Sequence, residues 1–131
     1  DEIVISAPYW DLLFPASLRA YIERVCVTGV TFAYTEQGMP QSLCKAKQLT
    51  YVTTAGGPYV PDFSYAFIRT MAQDYFGIPE TELIAAEMLD VQGFDAESIV
   101  EKKIKEIYVR MAPGYENCNF EYQGWQKTAE E

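Results

Sequence analysis

Hydrophobic positions along the chain switch repeatedly between two periods. Residues 1–7 carry Ile3, Val4 and Ile5 in an unbroken run, the pattern of a strand buried on both faces of a parallel sheet. From Pro15 the period lengthens. Leu18, Tyr21, Ile22, Val25 and Cys26 recur at i, i+3, i+4, i+7 and i+8, one apolar stripe of a helix. Pro15 stands where a first-turn proline is tolerated, and Gly29 is the expected C-terminal glycine. Val30, Phe32 and Tyr34 then alternate with Thr31, Ala33 and Thr35, which predicts a short extended segment over 30–35 and a turn at Gln37-Gly38-Met39-Pro40. This excursion is longer than the usual link between helix and strand, and such loops often line sites.

Residues 48–54 read as a second strand. Asp62, after Pro61, is the expected N-cap of a helix whose apolar face is Phe63, Phe67, Met71, Tyr75 and Phe76, stopped by Gly77 and Pro79. Propensity would allow a helix over 82–89, but its shortness and its place between two helical patterns predict a strand. Asp95 caps a last helix with Val100, Ile104, Ile107, Tyr108 and Met111 as its stripe, while Glu101, Lys102, Lys103, Lys105 and Glu106 face water. The order strand, helix, strand, helix, strand, helix specifies an α/β domain with a parallel sheet and right-handed crossovers over residues 1–111. Residues 112–131 lack periodicity and read as a C-terminal tail. The chain begins inside a core element without an initiator Met or polar lead-in, so the expectation is a fragment or a trimmed product.

Composition narrows the chemistry. At 131 residues, 49% hydrophobic and 15% aromatic, the chain can bury one real core. Nineteen acidic residues against ten basic ones leave a net charge of -9, which disfavours nucleic acid and acidic membranes as partners because neither finds clustered cations. No apolar run reaches bilayer length and no signal-peptide pattern is present, so the expected location is cytoplasmic. Cys26, Cys44 and Cys118 are odd in number and widely spaced, as reduced thiols are. Histidine is absent. Histidine-based triads, histidine-ligated zinc and imidazole proton shuttles are excluded with it.

Chemistry is then expected at the strand ends, because ligands of open α/β sheets sit in the crevice at the carboxyl ends of the strands. Two such junctions stand out: Ala7-Pro8-Tyr9-Trp10-Asp11 after the first strand, and Ala55-Gly56-Gly57-Pro58-Tyr59 after the second. Either alone could be an ordinary turn, with Trp10 merely covering the core. In a parallel sheet both leave the same edge, about 4.8 Å apart, and would flank one crevice. Glycines let backbone N–H groups approach a ring and Trp10 or Tyr9 can lie against its face, which suits a flavin isoalloxazine. The G-x-G-x-x-G dinucleotide fingerprint is missing after the first strand.

The run Ser6-Ala7-Pro8-Tyr9-Trp10-Asp11 through Pro15-Ala16-Ser17-Leu18-Arg19-Ala20-Tyr21-Ile22-Glu23-Arg24-Val25, followed in order by Thr31-Phe32-Ala33-Tyr34-Thr35 and Thr53-Thr54-Ala55-Gly56-Gly57, resembles the NAD(P)H:quinone oxidoreductase and FMN-dependent NADH-azoreductase family of flavodoxin-like flavoproteins over residues 1–110. The resemblance implies a three-layer flavodoxin-like fold with a five-stranded parallel sheet, of which these residues supply family strands 3 to 5 as a β-α-β-α-β-α fragment. It implies FMN, with FAD as the alternative, and a homodimer with the site at its interface. It also implies ping-pong transfer of hydride from NAD(P)H to a small aromatic acceptor: a quinone, azo compound or nitroaromatic. Carried over by motif position, Pro8, Tyr9, Trp10, Asp11 and Leu12 form the first flavin loop and Thr54, Ala55, Gly56 and Gly57 the second. Tyr59 is the expected catalytic donor beside the ring, and Phe32 and Tyr34 lie on an excursion that walls the site.

Two departures accompany the resemblance. The Ser-rich loop that holds the flavin phosphate in the family does not occur in these residues, and Ala55 is smaller than the residue often found before the paired glycines. In family order the strand at 3–7 would border the absent first strand, so its edge is expected to pair with another copy, or the fragment to be otherwise oligomeric. Rival readings are an NADPH-dependent flavin or iron reductase of the same fold, an electron-carrier flavodoxin, and a cofactor-free interaction domain.

Overall fold

The computed structural model describes residues 1–111; the proposed tail at 112–131, with Cys118, lies outside them. The elements are β1 (Glu2–Pro8), α1 (Ala16–Val25), β2 (Phe32–Tyr34), β3 (Pro40–Ser42), β4 (Gln48–Thr54), α2 (Tyr65–Thr70), β5 (Glu80–Ala86) and α3 (Ala96–Met111). α2 continues as a π-helical turn over Met71–Tyr75. β1, β4 and β5 form a parallel sheet with β4 in the middle. Its register sets Pro8, Thr54 and Ala86 level at the carboxyl edge, where three loops therefore leave side by side.

Ile5, Tyr51 and Leu83 form one row across the sheet, and Ala7, Thr53 and Ala85 the next on the same face. Phe14, Ile22, Ile68 and Ala72 bring α1 and α2 onto that face, with Leu49, Tyr51 and Ile78 closing the core. Ile78 is fully buried, so truncation to Ala there costs about 2–5 kcal/mol. On the other face, Arg110 of α3 ion-pairs with Glu82 of β5. Helices on both sides of the sheet give the expected three layers.

Several local expectations are corrected. β1 is not buried on both faces: Ile3, Ile5 and Ala7 turn toward the core, whereas Val4 is 48% exposed. The reason is that β1 lies at the sheet edge while α3 packs over β5, two strands away. The strand expected at 82–89 runs Glu80–Ala86. Gly29 does not end α1. The helix stops at Val25, whose carbonyl accepts from the Thr31 hydroxyl at 2.7 Å, and Gly29 (φ 82) serves the next turn. Asp62 does not cap α2, which starts at Tyr65 with Ser64 in the N-cap position. Asp95 does cap α3, its carboxylate accepting from the Ser98 N–H at 3.3 Å.

The 30–46 excursion is an antiparallel hairpin of β2 and β3. Phe32 meets Tyr75 edge-on at 5.7 Å, and the Ser42 hydroxyl donates to the Phe76 carbonyl. The Ser42 side chain fills the space beside Gly77, whose φ of 62 ends the helical segment. These contacts seat the hairpin at the end of the α2 segment that precedes β5, hence at the amino edge of the sheet. Phe32 and Tyr34 do not wall the loops of their own chain.

Candidate functional site

The first loop is a strained turn. Trp10 and Leu13 exchange backbone hydrogen bonds of 2.9 and 2.8 Å, and between them Asp11 (φ 48) and Leu12 (φ 70) are both left-handed. Paired positive φ values mark a primed turn, normally filled by Asn-Gly. A leucine there costs about 1–2 kcal/mol, a strain that persists only where the surroundings hold it. One hold is the Tyr9 N–H, which donates to the Thr54 carbonyl at 2.9 Å. Trp10, Leu12 and Leu13 are exposed and make an apolar rim.

The second loop is held by a third that sequence reasoning missed. The Ala55 N–H donates to the Ala86 carbonyl at 2.8 Å. The carbonyls of Ala55, Gly56 and Gly57 then accept from the N–H groups of Leu89 (3.2 Å), Asp90 (2.9 Å) and Met88 (3.1 Å). Three consecutive carbonyls are thus consumed by the loop after β5. Among the described residues the N–H groups of Gly56 and Gly57 donate to nothing, and both glycines are half-buried. Two adjacent backbone donors with no internal partner are poised for an acceptor from outside. The signal for the third loop was available: the carboxyl-edge rule applies to every strand, and extending the last strand to 89 hid the junction.

The two glycines differ in purpose. A Cβ on Gly56 would run into the Asp90 side chain, 3.1 Å from its Cγ, whereas a Cβ on Gly57 would meet open space. Gly56 is required by the third loop; Gly57 borders free volume.

Beneath the loops lies a group of phenols. The small pair Ala7 and Ala85 flanking Thr53 leaves room for it. Tyr9 and Tyr59 meet edge-on at 4.7 Å, Tyr51 stacks on Tyr65 at 6.2 Å, and the Tyr59 and Ser64 hydroxyls share a hydrogen bond of 2.7 Å. Burial pushes the Tyr51 phenol up to about 12, with the Tyr59 phenol adding to the shift and the Thr53 hydroxyl opposing it. Burial also raises Tyr59, opposed chiefly by its bond to Ser64. The hydroxyls of Tyr9, Tyr51 and Thr53 are buried without a partner in hydrogen-bonding geometry among the described residues.

The expected site residues therefore meet. Pro8, Tyr9, Trp10, Asp11 and Leu12 stand beside Thr54, Ala55, Gly56 and Gly57, joined by the Tyr9–Thr54 hydrogen bond and the Tyr9–Tyr59 ring contact. Ala55 is buried, so only its backbone serves the loop. Tyr59 is buried too, its hydroxyl occupied by Ser64. The ionisable carboxylates on the three loops are Asp11, Asp62, Glu87, Asp90 and Asp95, with no Lys or Arg among residues 8–14, 55–64 or 87–95. Such a rim repels a phosphate but accommodates the uncharged, acceptor-bearing edge of a flat ring. No group of three or more His, Cys, Asp or Glu suited to a metal occurs among the described residues.

The comparisons agree with this geometry. A family model described as a flavodoxin-like fold matches residues 1–111. The FMN-dependent NADH:quinone oxidoreductase 2 of Clostridium acetobutylicum is 40% identical over 111 residues, covering 80% of this chain and 54% of that protein. An FMN-dependent NADH:quinone oxidoreductase of Coprothermobacter proteolyticus is 38% identical over 112 residues, 81% of this chain and 55% of its own length. In three dimensions the azoreductase of Bacillus anthracis superposes with a TM-score of 0.69 at 28% identity, covering 81% of this chain and 53% of that one. The chain spans about half the length of the relatives it matches. Parallel sheet, three-loop carboxyl edge and matched residues together identify the chain as a member of the flavodoxin-like fold family.

Proposed function

We propose that these residues form the isoalloxazine-holding part of an FMN-dependent NADH oxidoreductase that reduces quinones or azo compounds. The observation that carries the reading is the pair of N–H groups at Gly56 and Gly57 that have no partner among the described residues, on a loop tied through the Tyr9–Thr54 hydrogen bond to the one bearing the exposed Trp10 and Leu12. The flavin, when bound, supplies the hydride chemistry. Gly56 and Gly57 donate to its acceptor edge and so favour negative charge there. Trp10 covers a ring face and excludes water from it, and Pro8, Tyr9, Asp11, Leu12, Thr54 and Ala55 fix the two loops. NADH is the proposed donor because the relatives' names specify it, and two-stage ping-pong turnover follows if donor and acceptor use the same ring face in succession.

The acidic loops offer no cation to a phosphate, so their proposed share is the ring and not the phosphate. The exposed apolar rim of Trp10, Leu12 and Leu13 supports a homodimer that buries it, since contiguous exposed apolar surface marks an interaction site. No helix among the described residues is long and apolar enough to cross a membrane.

The test is spectroscopic. The full-length protein should take up FMN with yellow absorption bands that bleach anaerobically on NADH addition and return on addition of a quinone. A full-length protein that stays colourless with excess FMN would refute the proposal; one that binds FMN but does not oxidise NADH would favour the electron-carrier reading.

A further inference from the structure

We propose that Tyr59 is a positioning residue, which, through the Ser64 hydroxyl, braces the first loop against the second and so sets the spacing between the Trp10 wall and the Gly56-Gly57 donors. The inference rests on the flavin reading only for its ligand measurement. Tyr59 lies two residues beyond Gly57, so its backbone belongs to the donor loop. Its ring meets Tyr9 edge-on at 4.7 Å and 73°, within the favourable range for aromatic pairs, and Tyr9 begins the strained turn. Its hydroxyl and the Ser64 Oγ are 2.7 Å apart, with Tyr59 8% and Ser64 0% exposed.

Ser64 is the revealing member. A serine at a helix N-cap ordinarily accepts from the helix's own N–H groups. Here its side chain makes no capping hydrogen bond and is committed to Tyr59 instead. Its backbone angles are helical (φ -90, ψ -65), which leaves the hydroxyl free of the capping role and available to the phenol. The three parts form one line, from the start of α2 through Ser64 and Tyr59 to Tyr9, and the left-handed Asp11 and Leu12 lie just past its end. A phenol tied to an interior hydroxyl and kept protonated by burial suits a brace better than a proton donor to an outside acceptor.

Tyr59→Phe, Ser64→Ala and the double variant in the full-length protein test this by amide exchange without ligand and by FMN titration. Each single variant is expected to speed exchange at residues 9–13 about 3- to 10-fold, the worth of one lost hydrogen bond, and to weaken FMN binding by a similar factor. β4 should keep its protection, and the double variant should be no worse than either single one. Unchanged exchange at 9–13, additive losses, or loss of protection across β4 would overturn the brace. So would a fall in turnover per bound flavin in Tyr59→Phe that Ser64→Ala does not share, since that is the signature of a donor. Wild-type protein that takes up no FMN would defeat the flavin reading alone, and the exchange measurement would still decide for or against the brace.

Discussion

Gly56→Ala should destabilise the protein and Gly57→Ala should not, although the two positions are adjacent and neither is left-handed. A methyl on Gly56 would press on the Asp90 carboxylate and stand 3.1 and 3.2 Å from its Cγ and Cβ. Asp90 is exposed, so its carboxylate can swing away, but its N–H is tied to the Gly56 carbonyl at 2.9 Å. Overpacking costs about 1–3 kcal/mol, and this mobile neighbour places the cost near 1–2. Against it stands a gain of about 0.4–1 kcal/mol from the stiffer unfolded chain, which Gly57→Ala collects without any clash. The variants should thus differ by about 1–2 kcal/mol, or about 5 °C in Tm for a domain of this size. Urea and thermal unfolding of the two proteins measure the gap. Asp90→Gly should remove the Gly56→Ala penalty, because the Asp90 Cβ, 3.2 Å from the added methyl, goes with the carboxylate. Equal stability of the two alanine variants, or a penalty that persists without Asp90, would refute the clamp.

Other predictions follow from the turn and the phenols. Leu12→Gly should raise stability by about 1 kcal/mol in urea unfolding, because it removes a left-handed leucine whose side chain is already exposed. Thr53→Val should be neutral or stabilising by up to about 1 kcal/mol, since it replaces a buried hydroxyl that has no partner in hydrogen-bonding geometry among the described residues with a methyl of the same shape; a loss above about 1 kcal/mol would show that its interaction with the Tyr51 phenol is a hydrogen bond. Tyr51 sets an alkaline limit. Its phenol rises from 10.0 to about 12 on folding, so the unfolded chain releases its proton first as pH climbs. The contribution is whole below pH 10 and lost between about 10 and 12, of order 2–3 kcal/mol. Tyr51→Phe should flatten unfolding free energy across that window, and an unchanged slope would count against the assignment.

What the sequence made legible was the part governed by local rules. Periodicity located all three strands of the main sheet and, among the described residues, all three helices, and the carboxyl-edge rule set the first two loops side by side at one edge of the sheet. The misplaced caps share a cause. Thr31 and Ser64 spend their hydroxyls on Val25 and Tyr59, partners six and five residues back that the intervening turns bring into reach, whereas cap propensities alone favour Gly29 and Asp62. The excursion over 29–46 was recognised but not its second strand or its seat, because its anchor is the Phe32–Tyr75 contact, separated by more than 40 positions.

The site itself shows the same division between local and tertiary causes. Paired glycines suggest close approach of a ligand, and Gly57 with its open surroundings fits that reason. Gly56 does not: its missing side chain makes room for Asp90 of its own chain. Among the described residues the Gly56 and Gly57 N–H groups have no partner, while Met88, Leu89 and Asp90 hold the carbonyls of the same peptide run, so on the proposed reading the third loop shapes the binding surface without facing the ligand. The left-handed Met88 (φ 64) is the cost of turning those three N–H groups inward. A substitution in the third loop should therefore weaken ligand binding by releasing carbonyls, not by removing a ligand contact. Met88→Pro, which deletes the N–H given to Gly57 and cannot adopt a positive φ, should cost more FMN affinity than Trp10→Phe, which keeps an aromatic wall. The reverse order in a titration of the two full-length variants would mean that the wall, and not the donor pair, carries the binding.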